Sequence, residues 1–123
     1  VKVAVYRFPN LFTGFLGLSG NYDIASFFGG YFNEDIYNNS PVNYLSNMSK
    51  DHYYIDLYNH KKTIAVVGRG SWEHLVLYSN EWLNNIVKEK NINTWVDIRG
   101  NDSIHDWCSW KSYISYYLDK LIY

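Results

Sequence analysis

The feature that most constrains the fold is a short, uninterrupted apolar run in the middle of the chain. Residues 63–67 read Thr-Ile-Ala-Val-Val and lie between Lys61-Lys62 and Gly68. An apolar run of this length, without polar alternation, is typical of a strand that is buried on both faces. Such strands belong to parallel sheets that helices cover on both sides. The run therefore predicts an α/β fold.

Helical and extended patterns alternate on both sides of this run. Two further strands are predicted at 15–19 and 92–98, and the second is rich in residues that favour extended backbone. Residues 20–50 are otherwise predicted to be mostly irregular. Apolar spacing, capping residues and prolines predict helices at 1–8, 41–46, 51–59, 75–90 and 106–121. This alternation implies right-handed crossovers and a mostly parallel sheet.

Composition and charge exclude several classes of partner. The chain has 123 residues, of which 47% are hydrophobic, which is enough for the core of one domain. Eleven Lys and Arg against twelve Asp and Glu leave a formal net charge of -1, with no basic stretch that would neutralise phosphates. No apolar run approaches the roughly 20 residues of a membrane span. We therefore expect neither nucleic acid nor a membrane as a partner.

The start of the sequence and its cysteine content bear on the compartment. The single cysteine, Cys108, excludes an internal disulfide and fits a reduced, cytoplasmic location. The first residues lack the long apolar stretch and cleavage site of a signal peptide. They also lack an initiator methionine, so we expect residues 1–123 to be one partial domain of a longer protein.

Reactive groups in parallel α/β sheets collect in the loops beyond the carboxyl ends of the strands. The loop after the last predicted strand places His105 directly before a helix, with Trp107 and Trp110 as anchors behind it. A general base needs such fixed placement, although a loop histidine is also common as a plain surface residue. His105 is therefore the candidate catalytic base.

The loop after the middle strand supplies a candidate acid, Glu73. A carboxylate there would hold the imidazole tautomer and stabilise the imidazolium. The alternative is a solvated glutamate that the helix dipole favours near a helix start. Glu81 and Asp102 are weaker candidates, because Glu81 lies inside a predicted helix and Asp102 is only three residues from His105.

The loop after the first strand nearly contains a nucleophile motif. Gly17-Leu18-Ser19-Gly20-Asn21 departs from G-x-S-x-G at its last position, and no predicted helix follows directly. Ser19 is therefore interpreted as a strand-end residue. The four histidines show no metal-ligand spacing, and Gly68-Arg69-Gly70 is too short for a nucleotide loop, so neither a metal nor another cofactor is expected.

Several segments together resemble a known family. They are Arg7-Phe8-Pro9-Asn10-Leu11-Phe12, Leu18-Ser19-Gly20-Asn21-Tyr22-Asp23, Phe28-Gly29-Gly30-Tyr31-Phe32, a G-x-G-x-W-E segment ending at Glu73, and H-x-W-x-x-W from His105 to Trp110. The chain is similar to the C-terminal part of the esterase family that includes esterase D and the antigen 85 mycolyltransferases. These are α/β-hydrolases, so the resemblance implies the C-terminal portion of that fold.

The resemblance also implies a function. Glu73 and His105 would be the acid and histidine of a Ser-acid-His triad, in the order that α/β-hydrolases use. Related sequences often carry Asp at the position of His74, which leaves the identity of the acid open. The nucleophilic serine and the oxyanion-hole loop are expected just upstream of Val1. The chain alone is therefore expected to be inactive, and the intact protein to hydrolyse a small-molecule ester.

Two other hypotheses come from the same residues. The aromatic and Asn-rich loops at 21–53 would suit a non-catalytic domain that binds a carbohydrate or a protein. A sheet edge left uncovered by absent strands would favour self-association of two chains.

Overall fold

Three parallel strands form the centre of the structure, a computed structural model that describes residues 2–29 and 31–122. They are β1 (Gly14–Leu18), β2 (Lys62–Val67) and β3 (Thr94–Ile98), hydrogen-bonded in the order β1-β2-β3. The predicted α/β class with a parallel sheet flanked by helices is confirmed. Val1 of the predicted first helix and Gly30 of the segment at 28–32 lie outside the described residues.

Helices connect and cover these strands. A 3₁₀ helix (Ile24–Phe28) and a short helix, Glu34–Asn38, lie in the region that the sequence predicted to be irregular. The α-helices are α1 (Lys2–Arg7), α2 (Glu34–Asn38), α3 (Pro41–Asn47), α4 (Tyr53–Asn59), α5 (His74–Glu89) and α6 (Trp107–Ile122).

The cap of α4 differs from the prediction. The sequence favoured Asp51 as the capping residue, but Nδ1 of His52 accepts the N–H of Tyr54 at 3.0 Å. The carboxylate of Asp51 instead accepts a hydrogen bond from Ser49. The prediction of Asp51 as the cap was therefore wrong by one residue, because a histidine ring nitrogen serves as the acceptor that a carboxylate usually supplies.

Both faces of the sheet are buried, which explains the apolar run of β2. One face, with Phe15 and Ala65, packs against α1, α3, α4 and α5. The other, with Ile64 and Val66, packs against α6. Successive side chains of a strand point to opposite faces, so every residue of β2 after Lys62 is buried, and the last four of them are apolar.

The register of the strands brings their carboxyl ends to one edge of the sheet. Leu18 at the end of β1 pairs with Val66, and Val67 at the end of β2 pairs with Ile98 at the end of β3. The three loops that follow these residues therefore lie side by side. Of the helices in residues 2–29 and 31–122, none combines the length and apolar character needed to cross a membrane.

Candidate active site

The loops after β2 and β3 are joined through their backbones. Gly70 N–H donates to the carbonyl oxygen of Ser103 at 2.9 Å, and His105 N–H donates to the carbonyl oxygen of Ser71 at 2.9 Å. These bonds fix the backbone of the histidine against the loop that carries the candidate acid. The two candidate residues are thus held by main-chain contacts as well as by their side chains.

Two glycines allow this close approach. A Cβ atom at Gly68 would lie 2.2 Å from the carbonyl oxygen of Ser103, and one at Gly70 would lie 2.6 Å from that of Asn101. No side chain fits at these distances, because the opposing atoms belong to backbone. The two glycines of the Gly-Arg-Gly segment are therefore explained by the close contact between the two loops.

Glu73 and His105 meet inside this pair of loops. Oε2 of Glu73 lies 3.3 Å from Nδ1 of His105, and none of the Glu73 side chain is exposed. An ionised carboxylate only accepts hydrogen bonds, so it favours the tautomer with the proton on Nδ1. In that tautomer Nε2 is the basic nitrogen. The distance is slightly longer than that of the usual N–H···O bond.

The other nitrogen of the imidazole is open to a reactant. The side chain of His105 is 34% exposed, and Nε2 has no hydrogen-bond partner in the part of the chain that the structure describes. A base with one nitrogen against a buried carboxylate and the other free can take a proton from a nucleophile and return it to a leaving group.

Ser19 contacts the second oxygen of the acid. Its Oγ donates to Oε1 of Glu73 at 2.7 Å, and it accepts a hydrogen bond from Nε1 of Trp110 at 3.0 Å. The sequence predicted Ser19 as the last residue of a strand, whereas β1 ends at Leu18 and Ser19 follows it; the sequence did not connect Ser19 with Glu73. The only signal was a serine at one of the three loops that follow the carboxyl ends of the strands.

The two tryptophans predicted to anchor His105 have different environments. The ring of Trp110 packs edge-on against His105, with centroids 5.0 Å apart. Trp107 is 62% exposed and contacts the ring of Trp110 at 5.6 Å. Of the two, Trp110 is the one that holds the histidine.

Unusual backbone angles occur beside the acid. Ser19 has φ 51° and Trp72 has φ 67°. A non-glycine residue in this left-handed region costs about 1–3 kcal/mol, and such residues cluster at functional sites. Asn91, with φ 57°, follows the C-terminal end of α5, where left-handed residues are ordinary.

The weaker candidates for the acid lie elsewhere. Glu81 is exposed on α5, and Asp102 is exposed in the loop after β3. Neither forms a hydrogen bond or ion pair with His105 among the described residues. Across residues 2–29 and 31–122, no three His, Cys, Asp or Glu side chains come close enough together to hold a metal ion.

A largely apolar pocket opens beside the histidine. Its volume is about 360 Å³. Residues from the loop after β1, from the 3₁₀ helix and from the start of α5 form its walls. The lining residues are Asn21, Ser26, Phe27, Leu75, Val76, Tyr78 and His105. A ligand with an apolar group could therefore lie within reach of the base.

The comparisons with known proteins agree with the fold. No known family profile matches the sequence, and no curated protein matches it. A solved structure described as a ferulic acid esterase superposes with a TM-score of 0.69 at 16% sequence identity, over 91% of this chain and 42% of that one. The chain thus spans about two fifths of the length of that structure. At this identity the likeness shows a shared α/β fold.

Proposed function

We propose that this chain belongs to a serine-dependent ester hydrolase, in which Glu73 and His105 are the acid and the base of the triad. The observation that carries the proposal is the buried Glu73 carboxylate against Nδ1 of His105, with Nε2 left open. The order of the two residues along the chain is that of α/β-hydrolases. The esterase-related fold supports the same reading.

In this mechanism a serine hydroxyl attacks the carbonyl carbon of the ester while Nε2 of His105 takes its proton. The tetrahedral intermediate collapses when the imidazolium returns that proton to the departing alcohol. Water then attacks the acyl-serine and loses a proton to Nε2. The serine recovers this proton as the carboxylic acid product is released. Glu73 stabilises the imidazolium at both stages and keeps the ring oriented.

The nucleophile is proposed to come from outside the 123 residues. They contain no G-x-S-x-G motif, and the hydroxyl of Ser19 is already donated to Glu73. No described strand pairs with the second edge of β1. A parallel strand added there would end at the same edge of the sheet as β1, so a serine in the turn after it would face His105.

The pocket beside His105 suggests the substrate class. Phe27, Leu75 and Tyr78 line it, and Phe27 is 71% exposed. A flat aromatic acyl group would cover these side chains while its ester carbonyl stayed near Nε2. Esters of aromatic acids, such as ferulate, are therefore the proposed substrates, in agreement with the name of the structural neighbour.

The test uses the complete polypeptide encoded by the reading frame that contains this sequence. Hydrolysis of p-nitrophenyl acetate and methyl ferulate is measured for the wild type and for His105→Ala. We expect kcat to fall about 10³–10⁴-fold in the variant. His60→Ala is the matched control, because His60 caps α4 and contacts the backbone of Asp56. Full activity of His105→Ala, or a reading frame without an upstream G-x-S-x-G serine, would refute the proposal.

A non-catalytic binding domain is the second candidate. Four large aromatic side chains, Phe27, Phe28, Tyr31 and Phe32, are half or more exposed in one segment. Exposed apolar groups of this density often mark a binding surface. Binding of an oligosaccharide or protein by the double variant Glu73→Ala, His105→Ala, with no hydrolysis by the wild type, would favour this candidate.

Self-association through the unpaired edge of β1 also stays a proposal, which light scattering would test.

A further inference from the structure

We infer that Ser19 and Trp110 are positioning residues, which hold the Glu73 carboxylate in the orientation that serves His105. The inference rests on the proposed function. Two successive hydrogen bonds connect α6 with the carboxylate of Glu73. Nε1 of Trp110 donates to Oγ of Ser19 at 3.0 Å, and Oγ of Ser19 donates to Oε1 of Glu73 at 2.7 Å. None of these contacts involves His105 directly.

The chemistry of the three side chains determines which group donates in each of these two hydrogen bonds. The indole N–H of Trp110 can only donate, so Ser19 Oγ must accept from it. A hydroxyl has one proton, and with Trp110 occupying an acceptor position that proton is free to point at Glu73. The carboxylate therefore receives a donor on Oε1 in every arrangement that keeps both bonds, and Oε2 is left for Nδ1 of His105.

Burial makes the donor from Ser19 important. Glu73 has no exposed surface, and a buried carboxylate is costly unless each oxygen has a hydrogen-bond partner. The described partners of its two oxygens are the hydroxyl of Ser19 and the ring of His105. Without the hydroxyl, Oε1 would lose its partner, and the carboxylate would be free to turn toward His105 with either oxygen or to rotate away from it.

The backbone of Ser19 supports a specific role. Its φ of 51° lies in the left-handed region, while its N–H still donates to the carbonyl oxygen of Val66 at 2.8 Å. A residue with a side chain is unfavourable in this conformation, and glycine would be favoured if only the backbone mattered. The hydroxyl is the group that a glycine would lack.

Trp110 couples the acid and the base through one side chain. Its ring packs edge-on against His105 at 5.0 Å, and its N–H is the donor to Ser19. Movement of α6 would therefore disturb both members of the pair together. Trp110→Phe keeps an aromatic ring against His105 but removes the N–H, which separates the two contacts.

The test compares Ser19→Ala, Ser19→Gly and Trp110→Phe with the wild type. Ser19→Gly removes the hydroxyl while relieving the unfavourable backbone conformation, so it separates positioning from stability. Ser112→Ala is the matched control, because Ser112 donates to a backbone oxygen on α6 and does not contact Glu73. Both measurements use the complete polypeptide. Ester hydrolysis is measured by steady-state kinetics, and the hydrogen-bonded Nδ1–H proton of His105 is followed by NMR.

We expect both Ser19 variants to lower kcat by about ten- to a hundredfold with little change in KM, and Trp110→Phe to lower it less. The Nδ1–H resonance should weaken or exchange faster with water in all three, even if Ser19→Gly is as stable as the wild type. An unchanged resonance and unchanged kcat in Ser19→Gly would overturn the inference. If instead His105→Ala retains activity, the proposed function fails, and the NMR result still decides whether Ser19 holds the pair.

Discussion

The carboxylate of Glu73, with no exposed surface, lies 3.3 Å from Nδ1 of His105, a side chain that is one-third exposed. The proposed acid is therefore inside the fold and the proposed base at its surface. This asymmetry suits a pair in which one group stays charged and fixed while the other exchanges protons with a reactant.

Replacing the acid should abolish most of the activity of the complete polypeptide. Glu73→Gln keeps the shape of the side chain but removes its charge, so the imidazolium loses its stabilising partner. We expect kcat to fall about 10³–10⁴-fold, as measured by steady-state hydrolysis of a p-nitrophenyl ester. Glu81→Gln is the control, since Glu81 is exposed on α5. Equal losses in the two variants would contradict the assignment of Glu73.

A side chain at Gly70 should separate the two loops. The Cβ of Gly70→Ala would lie 2.6 Å from the carbonyl oxygen of Asn101 and 2.7 Å from that of Ser103. Relief of such a contact requires backbone movement, so we expect a loss of about 1–3 kcal/mol in the free energy of unfolding. Urea denaturation monitored by circular dichroism measures it.

Gly100→Ala is the control for this change. Its Cβ would meet only the side-chain oxygen of Asp102, at 3.2 Å, and that group can move. We expect a change within about 0.5 kcal/mol. A Gly70→Ala variant as stable as Gly100→Ala would show that the loops are not packed as closely as described.

The pocket beside His105 should determine substrate preference. Leu75→Ala removes an apolar wall next to the base. We expect kcat/KM for methyl ferulate to fall by about tenfold, with a much smaller change for p-nitrophenyl acetate, whose acyl group is too small to fill the pocket. Leu11→Ala is the control, because Leu11 is similarly exposed but does not line the pocket. A parallel decrease for both esters would argue against substrate binding there.

Alkaline pH should destabilise the fold. The hydroxyl of Tyr6 lies 2.9 Å from Oγ1 of Thr94 in the core, and burial raises the pKa of Tyr6 and of Tyr22 well above the usual value. In the unfolded chain both residues ionise near pH 10, whereas the folded state holds them neutral. Their contribution to stability is therefore fully present below about pH 10 and is lost as the pH rises further.

Urea unfolding at about pH 8 and about pH 11 tests this, with tyrosine ionisation followed by ultraviolet absorbance. The urea concentration at the midpoint of unfolding should be lower at the higher pH, and ionisation of the buried tyrosines should coincide with unfolding. Tyr6→Phe should reduce this pH dependence, although loss of the bond to Thr94 lowers stability at every pH. Ionisation without unfolding would show that these side chains are accessible.

Local patterns in the sequence predicted the main elements but missed the 3₁₀ helix Ile24–Phe28 and the five-residue helix Glu34–Asn38. The strand predicted at 63–67 is Lys62–Val67, and the helix predicted at 75–90 is His74–Glu89. The helix Glu34–Asn38 was missed because five residues are too few for a periodic pattern. It is held by the side chain of Asn33, which accepts the N–H of Ile36, and by burial of Ile36.

The sequence by itself determined the α/β class and placed Glu73 and His105 in loops after neighbouring strands, because periodicity and chain order are local properties. Only the tertiary structure decided that Ser19, 54 positions before Glu73, donates to its carboxylate. It also decided that Trp110, 91 positions after Ser19, donates to that serine. Such contacts depend on the register of parallel strands and on the packing of α6, which no spacing along the chain encodes.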